Sequence, residues 1–250
     1  KNPGCEKAPD EILKHFEGCY MSENFATSHI EVKGLKVDNH NIETSFMVIE
    51  EFLASTDSKL VMLGGDHSIT YPAFKAFAAM HSNPGLVVFD AHPDVMQDFK
   101  PPTHEDYLRV LINEHIIEPK NVVLVGVRNP HNSELEFLKQ KGIRVFHMKH
   151  CHNLGVGELA SVIMENCRAF SALYLSIDID VLDPAFAPGT GYPEPGGFTS
   201  RELMHIIQRL ALLKNLRWVD LVEVNPELDV RENTTRVAAR LVRELTGHLK

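Results

Sequence analysis

The chain has 250 residues, 44% of them apolar, enough to bury the core of one large domain or two small ones. Its 34 acidic and 25 basic residues leave a formal charge of −9 with no basic patch, which argues against a nucleic-acid partner. No apolar run approaches the roughly 18 residues of a membrane span and no secretory signal is visible, so the expectation is no membrane association and a cytoplasmic location.

The predicted elements alternate along the chain. A helical pattern over 41–53 precedes a short apolar strand at 59–63. Gly64 and Gly65 then allow a sharp turn that brings His67 to the strand end. His67 on its own reads either as a locally satisfied histidine or as a ligand. A helix over 70–79 tolerates Pro72 in its first turn, and a strand over 85–89 runs into Asp90, His92 and Asp94. Spaced by two, these three point to one side of an extended chain. Two carboxylates and an imidazole beyond a buried strand call for a compensating cation. His104 lies in the loop that follows.

A strand over 121–125, a helix over 132–140, a strand over 143–146 and a helix over 155–167 come next. His147, His150, Cys151 and His152 fall between the last two. Their types suit zinc, but the spacing is not a structural zinc pattern, and they are read as holding no metal. Cys5, Cys19, Cys151 and Cys167 form no CxxC pair and are read as reduced thiols. A strand over 172–177 leads into Asp178 and Asp180, which share a face while Ile177, Ile179 and Val181 face packing. Asp183 is read as organising the turn before Pro184. Thr199 and Glu202 make a capping box for a helix over 200–212. A strand over 217–222 runs into Glu223, and a helix over 234–245 closes the pattern.

Short runs rich in valine, leucine and isoleucine are how strands covered on both faces read. Their alternation with helices predicts α/β architecture with a mainly parallel sheet, whose sites gather at the carboxyl ends of strands. His67, Asp90, His92, Asp94, Asp178 and Asp180 all sit at such ends. One ion rarely needs four carboxylates; two ions sharing bridging carboxylates do. The oxygen-rich, thiolate-free set suits manganese better than structural zinc. Two such ions can share a hydroxide, lower its pKa and orient an electrophile.

At these residues the sequence resembles the ureohydrolases, the arginase and agmatinase family. GGDHS at 64–68, DAHPD at 90–94 and SIDIDVLDP at 176–184 are similar to the family's metal motifs. The resemblance continues through 185–191, 195–197 and 222–226, and runs from about residue 3 to the end. It implies a single domain over 1–250 with a three-layer α/β/α, arginase-like fold. The strand that precedes residues 3–12 in the family is expected upstream of the sequence shown. It further implies two manganese ions, hydrolysis of a small guanidino compound to urea and an amine, and a homo-oligomer, trimer or hexamer. By motif, His67 and Asp94 look like ligands of single ions, Asp90 and Asp178 look like bridges, and His92 and Asp180 complete the set. Glu223 looks like the carboxylate that receives the guanidinium, and His104 like the proton shuttle.

Three residues depart from the family's pattern. Glu105 stands where glycine usually follows the shuttle histidine. Tyr192 stands where a smaller residue, often threonine, is usual. Asn129 replaces an aspartate that in arginases helps recognise the α-amino group. Asn129 and Tyr192 favour agmatine, giving putrescine, over arginine, while Glu105 and His131 are able to reshape the rim; guanidinobutyrate and formiminoglutamate stay open, and Arg128 is one group able to meet a carboxylate. The rival class is a non-catalytic metal-binding homologue acting as an assembly partner, for which missing ligands would speak, and none is missing.

Overall fold

The structure is a computed structural model that describes residues 2–27 and 29–248. In chain order the elements are α1 (Ala8–Phe16), α2 (Ile42–Ala54), β1 (Leu60–Leu63), α3 (Thr70–Met80), β2 (Pro84–Phe89), α4 (Tyr107–Asn113), β3 (Val122–Val125) and α5 (Asn132–Lys141). There follow β4 (Arg144–Phe146), α6 (Met148–Leu154), α7 (Val156–Cys167), β5 (Ala172–Asp178), α8 (Ser200–Leu210), β6 (Leu216–Val222) and α9 (Asn233–His248). All six expected strands occur, each end displaced by at most one residue.

The strands form one parallel sheet in the order β1-β6-β5-β2-β3-β4. Alternation along the strands feeds two apolar layers. Val87, Phe89, Leu173, Leu175, Ile177, Val219 and Leu221 pack on one face with α1, α7, α8 and α9. Leu86, Val88, Val122, Leu124, Tyr174 and Trp218 pack on the other with α3, α4 and α5, and α2 lies against α3. The fold is therefore three layers, α/β/α, as the alternation and the family resemblance both imply.

Sheet order also fixes where a ligand belongs. From β2 the chain steps outward to β3 and β4; it then returns to β5, beside β2, and steps the other way to β6. A crevice opens where neighbouring strands send their connections in opposite directions. Here that point lies beyond the carboxyl ends of β2 and β5, where Asp90 and Asp178 stand.

Three helices escape the sequence pattern. In α4, Tyr107, Leu108, Val110, Leu111 and Ile112 are all buried, so no polar face marks the helix period. In α1 the helix begins at Ala8 with a proline in its first turn, inside a segment read only for its family likeness. The third, α6, disperses the histidine–cysteine cluster: Cys151 is buried with its thiol donating to the Phe146 carbonyl at 3.3 Å, while His147, His150 and His152 are exposed. All four cysteines are unpaired. The capping box at Thr199 and Glu202 is present, and His131 with Glu134 makes a second one at the start of α5. Asp183 accepts from the Ala185 and Gly196 amides, the turn-organising role expected of it. Among the described residues no helix is long and apolar enough to cross a membrane.

Candidate metal centre

Four adjacent strands, β1, β6, β5 and β2, deliver the candidate residues to one place. Past β1, the Gly65 carbonyl still accepts from the Glu223 amide at 2.8 Å, so the ladder with β6 runs on into the site. His67 opens a short 3-10 turn capped by Asp66 and is fully buried.

Its ring is held at both nitrogens. Nε2 lies 2.8 Å from Ser176 Oγ, and Ser176 itself donates to Asp220 Oδ1 at 2.7 Å. Asp220, buried within β6, also accepts from Tyr174 and Thr70 at Oδ2. With its own proton committed to Asp220, the Ser176 oxygen must accept from His67 Nε2–H. Nδ1 then offers a lone pair, and it faces Asp94 Oδ2 at 3.0 Å, Asp90 Oδ2 at 3.1 Å and Asp178 Oδ2 at 3.2 Å. Lone pairs facing three carboxylate oxygens are repulsive unless positive charge lies between them. Among the described residues, His67 Nδ1 and Asp90 Oδ2 are buried polar atoms without a hydrogen-bond partner.

The second group forms around His92, whose Nδ1 is 3.0 Å from Asp180 Oδ2 and 3.5 Å from Asp90 Oδ1. His67, Asp90 and Asp94 form one set of donors spaced to hold a metal ion, and Asp90, His92 and Asp180 form another. Asp90 belongs to both, with one oxygen turned to each.

Turns, rather than the extended chain expected from the spacing, bring these residues together. Asp90 Oδ1 accepts from the His92 amide at 2.6 Å, and Asp94 takes a left-handed backbone with φ 53°. Asp178 ends β5 and its Oδ1 accepts from the Asp180 amide at 2.8 Å, capping a 3-10 turn over Ile179–Val181. Asp180 Oδ1 in turn accepts from the Ala91 amide, tying the two loops together.

Electrostatics follow from burial. Burial and the neighbouring Asp90 push Asp94 up to about 8, and burial also raises Asp178 and Asp180. Burial pushes Asp90 the same way, but the His67 and His92 imidazoles beside it bring it below the ordinary carboxylate range. Both imidazoles are driven up against the opposing effect of burial, His92 to about 12 by Asp180 and Asp90. Reluctant carboxylates and avid imidazoles express one demand, for positive charge at this point. A divalent ion meets it more fully than a proton, because it is shared among several oxygens at once. The donor set therefore fits a pair of divalent cations.

Glu223 and His104 stand beside this centre. Glu223 Oε1 accepts from the His67 amide at 2.7 Å and lies 3.2 Å from His104 Nδ1. Burial alone would raise Glu223; bonds from His104, the His67 amide and Asn2 lower it instead. Its φ of 63° is left-handed, rare for a residue with a side chain and concentrated at functional sites. His104 is buried, and its bond to Glu223 raises it against the effect of burial. Glu105 is not among the described residues with a left-handed backbone, so the loop does not require glycine there. Buried Asp106 accepts from the Gln97 amide and the Thr103 hydroxyl, and the Met96 amide donates to the Glu105 carbonyl.

The mouth carries the sequence's other departures. Tyr192 is exposed, its ring centroid 5.5 Å from that of His104 and 6.3 Å from that of His92. Glu194 accepts from Asn129 Nδ2, and its Oε1 lies 3.7 Å from His92 Nε2. Arg128 does not face the mouth as a free cation. Its guanidinium donates to the carbonyls of Asp180, Val181, Leu182, Glu194 and Pro195, stapling the 194 loop to the turn after β5.

Sequence reasoning missed Asp220, Glu194 and Asn2. A charged residue inside the apolar strand 217–222 was the available signal for Asp220. Glu194 lies two residues after the departure at Tyr192. Asn2 carries no local signal, because its partner is 221 positions away.

Comparison with known proteins agrees with this fold. The family profile described as the arginase family matches residues 1–247. An arginase of Staphylococcus aureus is 32% identical over 241 residues, spanning 90% of this chain and 80% of its own. An agmatinase of Bacillus subtilis is 35% identical over 217 residues, 84% of this chain and 72% of its own. The crystal structure of formimidoylglutamase from Bacillus subtilis superposes with a TM-score of 0.90 at 26% identity, over 96% of this chain and 79% of that one.

Proposed function

The chain belongs to the arginase family, and from that footing we propose that it hydrolyses agmatine to putrescine and urea with two manganese ions. The reading rests on one observation: two donor sets share Asp90, and the Glu223–His104 pair lies against them. In this reading His67 and Asp94 hold one ion, His92 and Asp180 the other, with Asp90 and Asp178 shared. When bound, the ions supply an activated water and polarise the electrophile.

The chain's own residues do the rest. Glu223 takes the guanidinium by paired, charge-assisted hydrogen bonds. Its Oε1 already lies against the His67 amide and His104 and its Oε2 is held by Asn2, so little ordering is needed when substrate arrives. His104 carries a proton at Nδ1 beside Glu223 and delivers it to the departing nitrogen, which would otherwise leave as an amide anion. The surrounding burial keeps bulk water from competing.

Substrate choice is made at the other end of the molecule. Agmatine ends in an ammonium, arginine in an ammonium and a carboxylate. Glu194 presents a carboxylate at the mouth, which attracts the ammonium of either and repels the carboxylate that only arginine carries. Arg128 spends its N–H groups on backbone carbonyls and is not offered to a carboxylate. A buried carboxylate without a donor costs several kcal/mol. A screen in matched manganese buffer, following urea from agmatine, arginine and guanidinobutyrate and formamide from formiminoglutamate, tests the proposal. The expected ratio of kcat/KM for agmatine to that for arginine is above one; a ratio below one rejects agmatine, and neither urea nor formamide from any of them rejects the reaction class.

A further inference from the structure

Glu223 is reached from three segments far apart in the chain. Asn2 Nδ2 donates to Glu223 Oε2 at 2.7 Å and lies 3.2 Å from the Glu223 carbonyl. Asn225 Nδ2 donates to Asn2 Oδ1, and at 2.8 Å to the Pro3 carbonyl. Asn225 thus settles which way the Asn2 amide faces, with oxygen accepting and nitrogen donating. Asn2 is only 3% exposed, so its bond to Glu223 is not shared with bulk water.

The backbone is shaped to let this lock close. A side chain at Gly191 would put its Cβ 2.8 Å from Asn2 Cγ, and one at Gly4 would put its Cβ 2.6 Å from Asn225 Oδ1. The Asn225 amide donates to the Gly189 carbonyl at 2.7 Å, drawing the 189–191 turn onto the same point.

Division of labour between the two Glu223 oxygens follows. Oε2 is held from behind by Asn2. Oε1 is turned toward the His67 amide and His104, on the side of the metal-binding carboxylates. We propose that Asn2 is a positioning residue: it fixes Glu223 Oε2 so that the carboxylate is presented, already oriented, to the guanidinium. The proposal rests on the reading of Glu223 as the guanidinium acceptor. The Asn2 side chain is hydrogen-bonded to Glu223 and Asn225 and not to the two donor sets, so its effect belongs in substrate affinity rather than in metal content.

Two variants test it. Asn2→Ala removes the donor. Asn2→Asp keeps the shape and the oxygen that Asn225 binds, while losing the donor and placing a like charge beside Glu223, so it remains informative if the alanine variant fails to fold. KM for agmatine from urea release, Kd for agmatine by calorimetry, kcat and manganese content are measured on each purified protein. The expected result is a rise of about 10- to 100-fold in KM and Kd together, the worth of one charge-assisted hydrogen bond, with manganese content unchanged and kcat within about threefold. Unchanged KM and Kd overturn the proposal and leave the proposed reaction standing. Loss of manganese, or a fall in kcat at unchanged KM, also overturns it, since Asn2 would then serve the fold or the metal centre. If the parent protein neither binds nor hydrolyses agmatine or another guanidino compound, the reading of Glu223 falls and takes this proposal with it.

Discussion

Asp90 offers one oxygen to His67 and the other to His92, so a single substitution there should damage both donor sets. Asp90→Asn keeps the size but removes the charge that two cations would share. The expected outcome is less than two manganese ions per chain by elemental analysis and a loss in kcat of at least about a thousandfold, in line with removing a catalytic metal ligand. Glu194 is the complementary case, a residue near the centre but outside it. Glu194→Gln should leave kcat for agmatine nearly intact, raise its KM, and lower the agmatine-to-arginine ratio of kcat/KM by about tenfold, as a lost charge pair near a site does. An unchanged ratio would show that Glu194 orients His92 instead of the substrate. Both residues lie beside motifs visible in the sequence, yet only Asp90 was legible there. Its spacing from His92 and Asp94 after an apolar strand is a chemical pattern in itself. Glu194 acquires meaning only when the 194 loop folds back onto His92 and Asn129.

At the scale of elements, strands were more legible than helices because burial on both faces leaves an unbroken apolar run. Helices buried all round, such as α4, lose the polar stripe that marks their period. Site geometry was legible as membership and not as conformation. Asp178 and Asp180 do converge with Asp90 and His92, but through a 3-10 turn and side-chain-to-amide bonds that alternation does not encode. The long connection between α1 and α2 was also blank in the sequence. One of its anchors is Glu23, which pairs with Arg201 on α8 and Gln208, while its amide donates to the buried carboxylate of Glu244 on α9. Bonds from Arg201 and then Gln208 hold the Glu23 carboxyl down to about 2. A carboxyl depressed in the folded state stabilises the fold above its unfolded pKa and loses that contribution as pH falls toward the folded value. Arg201→Ala should therefore lower Tm at pH 7 by a few degrees at most, since Arg201 is largely exposed and water and salt screen such a pair. The gap between variant and parent should close as pH is lowered from about 4.5 to about 2. Melting curves across that range check it, and a gap that persists at pH 2 would show that the arginine acts by packing.

At the scale of the whole molecule, strand order explains why one end of the sheet carries the chemistry. β1, β6, β5 and β2 are neighbours, and the candidate residues at their carboxyl ends fall within reach of one another although they span 157 positions from His67 to Glu223. β3 and β4 lie outside this group, and the turn after β3 supplies Arg128 as a staple for the mouth. The resemblance to a family of trimers and hexamers leads us to propose a homo-oligomer. Light scattering at micromolar concentration should return a mass several times the 28.1 kDa of one chain, and a monomer mass would overturn that. The most direct test of the central claim is a manganese titration of metal-stripped protein, following urea release from agmatine at each step. Turnover should rise with added manganese and level off at two equivalents per chain. A plateau at one equivalent would contradict a pair of cations built around Asp90, and no urea at any manganese concentration would reject agmatine as the substrate.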